Sequence, residues 1–321
     1  MDLLKNLFSF KRTRMIDEAV FFHKPISLGK SILYFFAVFV ISSLIVAVLQ
    51  AIPIIIYLSQ TPGLLEELTT GTISAFVDEL KDMPSWVSGL DLIFSGMFIL
   101  IAFYYCKKYE NRKSFTLGYV KPGWASEYLI GFFVGCALIG IPLLLGFAFG
   151  TIQFVGFNFS PVVLLFLVGY IVRGFACSTF VQGYFTVSVA RDYLPIVAVS
   201  LGSVAFLLFN LSLGGATVVS FINILLLGFF LGIYLFKRGS IFGSSAILAG
   251  WSFLQDSVFG TDMSMSPMLG TVSVGSPYLT GSSSGIGGGL FATITLVFAI
   301  ILLLLTKPRK SQISQFEDDF R

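Results

Sequence analysis

The fold predicted for this chain is an all-α, polytopic membrane protein of about eight transmembrane helices with both termini in the cytoplasm, and three observations predict it. The 321 residues are 56% hydrophobic and only 12% charged, with a mean hydropathy of +0.91, whereas soluble domains carry about 25% charged residues. Eight stretches approach the roughly 20 apolar residues that a helix needs to cross the hydrocarbon core. Eighteen of the 20 Lys and Arg residues fall in segments that this arrangement places on one side, as cytoplasmic loops require.

The stretches run from about 31 to 59, 87 to 106, 128 to 150, 161 to 187, 194 to 212, 217 to 236, 240 to 258 and 288 to 306. Helices are expected because backbone in lipid must satisfy its own hydrogen bonds. The first stretch is too long for a signal-peptide core and lacks a small-residue cleavage site, so it is expected to remain. Lys5, Lys11, Arg12, Arg14, Lys24 and Lys30 precede it, and Lys107, Lys108, Arg112, Lys113 and Lys121 separate the second and third stretches. Arg191, Lys237, Arg238, Lys307, Arg309, Lys310 and Arg321 follow the fourth, sixth and eighth. Lys81 lies on the opposite side and Arg173 lies inside a span.

This divides the chain into a basic, interfacial segment (1–30), N-terminal transmembrane helices (31–160), a transmembrane core (161–306) and a cytoplasmic tail (307–321). Within the second part, the outer loop 60–86 carries Glu66, Glu67, Asp78, Glu79 and Asp82, and its Leu65, Leu68, Ile73, Phe76, Val77 and Leu80 partly follow helical spacing. An amphipathic helix on the membrane face and a solvated acidic loop both fit. At the N-terminus Leu3, Leu4, Leu7, Phe8 and Phe10 lead into basic residues, as an interfacial segment or a plain topology signal would. From 259 to 287 Gly, Ser and Thr crowd together, the composition of a flexible linker.

Few ionisable residues lie within the spans. Arg173 sits well inside the fourth, while Asp91 and Asp256 lie near the outer ends of the second and seventh. Such residues are candidates for an ion pair or a binding site. Ser178 and Gln182 share a helix face at four-residue spacing, Asn210 ends the fifth span, and groups of this kind commonly hold helices together. Arg173, Ser178, Gln182, Asn210 and Asp256 are therefore the binding candidates. Ser200, Gly202, Gly228, Gly232, Gly243, Ser244 and Ser245 suit close helix contacts.

Enzyme templates find little to use. His23 is the single imidazole, and Cys106, Cys136 and Cys177 lie on three different spans without ligand spacing, so neither a zinc hydrolase nor a disulfide framework is indicated. No base accompanies a serine or cysteine nucleophile. The basic residues follow topology rather than forming a nucleic-acid patch, so no nucleic-acid partner is expected.

From about 161 to 306 the order of segments resembles the CPBP family, the CAAX-protease and bacteriocin-processing intramembrane metalloproteases. That family carries Glu-Glu-x-x-x-Arg-Gly on one span, Phe-x-x-x-His on the next, and Gly-Ser-(Leu/Ile)-Trp leading to His-x-x-x-Asn on a later one. The first frame stands here as Cys177-Ser178-Thr179-Phe180-Val181-Gln182-Gly183, and the second as Phe206-Leu207-Leu208-Phe209-Asn210. The third keeps Gly239-Ser240-Ile241-Phe242, with Leu248 at the His position and Ser252 at the Asn position. Trp251-Ser252-Phe253-Leu254-Gln255 is similar to the family's Trp-Asn-Phe-Leu-Gln, and Gly287 stands where some members have Glu in a glycine-rich loop.

The resemblance implies a bacterial cytoplasmic membrane protein whose Glu and His positions serve peptide-bond hydrolysis through zinc. All of those positions are changed here: Cys177, Ser178, Gln182, Asn210, Leu248, Ser252 and Gly287 are the degenerate set. The expectation is a pseudoprotease without a catalytic residue, metal or cofactor, binding a membrane protein or peptide within the bilayer, for instance in sensor-kinase regulation or bacteriocin immunity. Two alternatives remain open. One is a peptidase with an altered active site, using Cys177 or Ser178 as nucleophile with Gln182 and Asn210 as oxyanion donors, or zinc. The other is a small-solute carrier or channel built around Arg173.

Overall fold

The computed structural model describes residues 13–20, 25–60, 84–120, 123–211, 217–260, 267–281 and 284–309. Most of the N-terminal segment with His23, the outer loop from 61 to 83 and the tail from 310 lie outside the described residues. A short helix α1 (Arg14–Val20) is followed by α2 (Leu28–Gln60), α3 (Ser85–Tyr109, interrupted at Ser95 and Gly96) and α4 (Trp124–Ala148). Strand β1 (Ile152–Phe157) leads to α5 (Val162–Ala190), α6 (Pro195–Phe209), α7 (Val218–Arg238) and α8 (Ile241–Ser252), the last continued by a π-helical segment, Phe253–Val258. Strand β2 (Leu269–Ser273), α9 (Pro277–Thr280) and α10 (Leu290–Leu305) complete the order.

The chain is an all-α multi-pass membrane protein. Five helices, α2, α3, α4, α5 and α7, are long and apolar enough to cross a bilayer. Each predicted stretch contains a helix, but α6 and α10 have only 15 and 16 residues. At 1.5 Å per residue these reach about 22–24 Å, short of a hydrocarbon core about 30 Å thick. The lipid-facing surface is apolar, with Leu33, Leu44, Val48, Leu100, Phe133, Leu144, Leu164 and Phe298 among the outward residues.

Helix α8 is the hub, buried from Ile241 to Trp251 except at Phe242. Small residues let its neighbours approach at backbone distance. A Cβ on Gly135 of α4 would collide with the Ile247 carbonyl, and one on Gly174 of α5 with the Ser245 carbonyl. Helices packed in lipid associate through such close contacts, because apolar burial gives them little advantage over lipid. Gly228 against Phe206 and Gly243 against Tyr234 extend the same packing, as the Gly and Ser pattern predicts.

Phenylalanine fills the wider interfaces. Phe35 of α2 lies 4.2 Å from Phe185, and Phe98 of α3 lies 5.0 Å from Phe180 and 4.7 Å from Phe209, centroid to centroid. Offset and edge-on contacts of this kind suit aromatic quadrupoles. They fasten α2 and α3 to α5 and α6.

Two features depart from the sequence reading. Strands β1 and β2 form an antiparallel ribbon pairing Ile152 with Ser273 and Phe157 with Leu269. The glycine-rich segment is not all linker, since its described residues include β2, α9 and a buried turn, Ile286–Gly288. Composition alone cannot separate a linker from a glycine turn that packs closely.

Candidate functional site

The middle of α5 is a π-helix, Ser178–Thr186, all nine residues of which are buried. π-Helical turns are rare and frequently accompany functional sites. Arg112 braces this one from the α3–α4 connection. Its Nη2 donates to Gly183 O at 2.7 Å and Thr116 O at 2.8 Å, and its Nη1 to Tyr184 O at 3.1 Å. Nη1 also meets Ser188 Oγ at 2.9 Å and Glu110 Oε2 at 3.0 Å, while Nε donates to Thr116 Oγ1 at 3.1 Å.

Glu110 completes the brace by accepting from Arg191 Nη2 at 2.6 Å. Burial pushes its carboxyl up, but Arg112, Arg191 and the hydrogen bond from Ser188 outweigh this and hold it below its ordinary range.

The positions that resemble the CPBP motifs separate into three environments. Cys177 is fully buried, and its Sγ lies 3.7 Å from Asn210 Nδ2, which also donates to Phe206 O at 2.9 Å. Arg173 reaches Asn210 Oδ1 from 3.5 Å, so Arg173, Cys177 and Asn210 form one group. Among the described residues Arg173 makes no direct ion pair with Asp91 or Asp256, and the Asp256 carboxyl instead meets Tyr170 and Gln255.

Ser178 and Gln182 form the second environment. Their residues are 0% and 1% exposed, yet Ser178 Oγ and both Gln182 amide atoms have no hydrogen-bond partner among the described residues. Among the described residues they make no helix-to-helix hydrogen bond, the ordinary role for such a pair.

The third environment gathers around the glycine turn. Gly287 N–H donates to Gln255 Oε1 at 3.0 Å, Gln255 Nε2 donates to Asp256 Oδ1 at 3.0 Å, and Tyr170 OH donates to Asp256 Oδ2 at 3.0 Å. Leu248 of α8 is buried in the apolar core, and Ser252 ends that helix. A Cβ at Gly287 would come within 2.8 Å of the Trp251 ring, so this turn has no room for a larger side chain.

Three anchoring residues escape the sequence reading. Asn223 of α7 donates to Gly287 O at 2.9 Å and Gly289 O at 2.8 Å, and accepts from Thr293 Oγ1 at 2.7 Å. Its signal is legible, as the one amide in a largely apolar run from 218 to 236. Glu127 accepts from Tyr234 OH at 2.7 Å and from Arg238 Nε and Nη2 at 3.0 and 2.8 Å. Lys237 Nζ caps α10, donating to the carbonyls of Leu303, Leu304 and Thr306 at 2.7, 2.8 and 2.5 Å. Lys237 and Arg238 obey the charge rule for topology, and that hides their structural work.

The zinc implied by the resemblance needs three protein ligands from His, Cys, Asp or Glu. Leu248 and Gly287 have no donor atom to offer, and Asn210 already bonds Phe206 and Cys177. Among the described residues no group of three such side chains could hold a metal ion. The donor set does not fit zinc. Comparison with known proteins found no matching family model, no matching curated protein and no matching solved structure.

Proposed function

We propose that this chain is a non-catalytic binding protein, a degenerate relative of the CPBP scaffold that holds a peptide or a segment of another membrane protein. The proposal includes eight spans, with α6, α8 and α10 crossing beside the five long helices, cytoplasmic termini and a bacterial cytoplasmic membrane. Regulation of a membrane sensor or immunity to a bacteriocin are uses compatible with it.

The observation that carries this reading is the unpartnered pair Ser178 and Gln182 in the buried π-helix. Leaving a buried donor or acceptor unsatisfied costs about 1–3 kcal/mol, and a Leu at 182 would avoid that cost. Buried polar atoms without partners are the ones free to take a ligand's hydrogen bonds. A primary amide presents one donor face and one acceptor face, which matches the N–H and C=O of a peptide backbone.

Photocrosslinking in native membranes tests the proposal. The wild-type chain is expected to capture a discrete partner that Gln182→Leu loses while remaining folded. Capture no greater than that of an unrelated multi-span protein, or capture unchanged by Gln182→Leu, contradicts it.

Arg173, a charged residue inside a span that reaches Asn210 from 3.5 Å, supports a second reading, a small-solute carrier. Proteoliposome flux that depends on Arg173 supports it, and flux unchanged by Arg173→Ala removes it.

A further inference from the structure

The ribbon of β1 and β2 exposes apolar side chains that nothing among the described residues covers. Phe154, Val155 and Phe157 of β1 point outward, as do Val272 of β2, Val274 just beyond it and Phe159 before α5. Between Phe154 and Gly156 the register shifts, leaving Val155 as an extra residue in β1. Such a bulge re-aims side chains, and here consecutive apolar residues face outward.

This exposure belongs to an anchored element. Ile152 is buried, lying so close to Gly146 that a Cβ there would come within 2.6 Å of its Cδ1. Val274 N–H donates to Thr151 O at 3.0 Å, and Asn158 N–H donates to Met268 O at 2.9 Å. Met268 N–H donates to Ser257 O at 2.9 Å, and Thr271 Oγ1 lies 3.1 Å from Gly260 O. The ribbon is therefore fixed to the ends of α4 and of the π-helical segment after α8.

Both strands of the ribbon and the chain on either side of β1, from Tyr128 to Val172, are free of charge, and Asp256 is the charged residue nearest the ribbon's anchor at Ser257. No Asp, Glu, Lys, Arg or His occurs from 128 to 172 or from 263 to 306. A strand edge facing bulk water is ordinarily guarded by charged residues, and an apolar patch facing water favours association. Open strand edges are equally unsuited to hydrocarbon, where unpaired backbone groups find no water. The headgroup and upper-acyl layer reconciles these demands, since aromatic side chains reach the acyl chains while backbone edges stay hydrated.

The position agrees. The ribbon bridges the end of α4 and the start of α5, and its exposed side chains continue the apolar surface of Leu144, Phe149, Leu164 and Val168. We infer that the β1–β2 ribbon is a membrane-interface float, lying in the headgroup layer with Phe154, Phe157 and Phe159 seated toward the acyl chains. Gln153 and Asn158 are the neutral polar residues available to headgroups. The inference requires only a multi-pass bundle in a bilayer and is independent of the peptide-binding proposal.

Nitroxide labels test it in the full chain, reconstituted in phosphatidylcholine nanodiscs. Phe154→Cys, Phe157→Cys and Val274→Cys are labelled separately in a Cys136→Ala background, which removes the partly exposed native thiol. Labels at all three sites are expected to collide more often with oxygen than with a water-soluble nickel chelate, at a depth near the phosphate layer. Nickel accessibility typical of a hydrated loop overturns the inference. So does label burial with spin coupling between molecules, which would identify a second copy of the chain as the occupant. Comparing the labels on β1 with the one just beyond β2 distinguishes a local disturbance at one site from displacement of the ribbon.

Discussion

Arg112 donates a 2.7 Å hydrogen bond to the carbonyl of Gly183, joining the α3–α4 connection to the π-helix of α5. The same side chain holds Tyr184 O, Thr116 O and Glu110, so the candidate site rests on one guanidinium. Removing one partner of a buried pair costs about 3–5 kcal/mol. Arg112→Ala is expected to lose stability of that order, and Arg112→Lys to recover only part, because an ammonium cannot reproduce the planar fork. Chemical unfolding in matched detergent measures both. Full rescue by Lys would show that charge alone braces the turn.

The brace also sets an acid limit. The Glu110 carboxyl is held below its ordinary value of 4.5, so the unfolded chain binds the extra proton first as pH falls. Its contribution is complete above 4.5 and declines as pH drops through the lower, folded value. Thermal stability followed from about pH 7 down to pH 3 should fall mainly below that point. Glu110→Gln should start less stable and show a shallower acid decline. An equal decline in both proteins would assign the acid sensitivity to other groups.

Two glycines of α4 should behave oppositely. A Cβ at Gly135 meets the Ile247 backbone, whereas one at Gly140 meets only Leu254 Cδ2 at 3.8 Å. Gly135→Ala is expected to cost about 1–3 kcal/mol by overpacking, and Gly140→Ala to be neutral or to gain up to about 1 kcal/mol from helix propensity. Equal effects in the same unfolding assay would contradict the proximity of α4 and α8.

Asn223→Leu removes the donors to Gly287 and Gly289 and the acceptor for Thr293. The expected loss is about 1–3 kcal/mol for each group left buried and unpaired, with faster amide exchange through Ile286–Gly288. Unchanged exchange there would show that Gln255 holds the turn without Asn223.

The helices are legible in the sequence because apolar runs of membrane length have few alternatives in lipid. Their ends are less so: α6 stops at Phe209, where Asn210 turns its amide back onto Phe206 O. The π-helix is invisible to hydropathy, which does not distinguish hydrogen bonding to the fifth residue from bonding to the fourth. Arg112 and Arg191 read as topology charges, and their joint burial with Glu110 emerges only when α3 meets α5. The ribbon is hidden for a related reason, since β1 and β2 are more than a hundred residues apart. Gln182 and Ser178 are visible as polar residues in a span, but their lack of partners is a property of the packed bundle.

Zinc content per chain tests the central proposal, that this scaffold binds without the metal chemistry of the CPBP proteases it resembles. The protein is purified in detergent, exposed to zinc, freed of loose metal and analysed by elemental analysis beside a zinc-loaded metalloprotease control. The donor set at Cys177, Asn210, Leu248 and Gly287 predicts metal at background level. Stoichiometric zinc that survives washing and is lost on Cys177→Ala or Asn210→Ala would contradict the claim and restore a metallopeptidase reading.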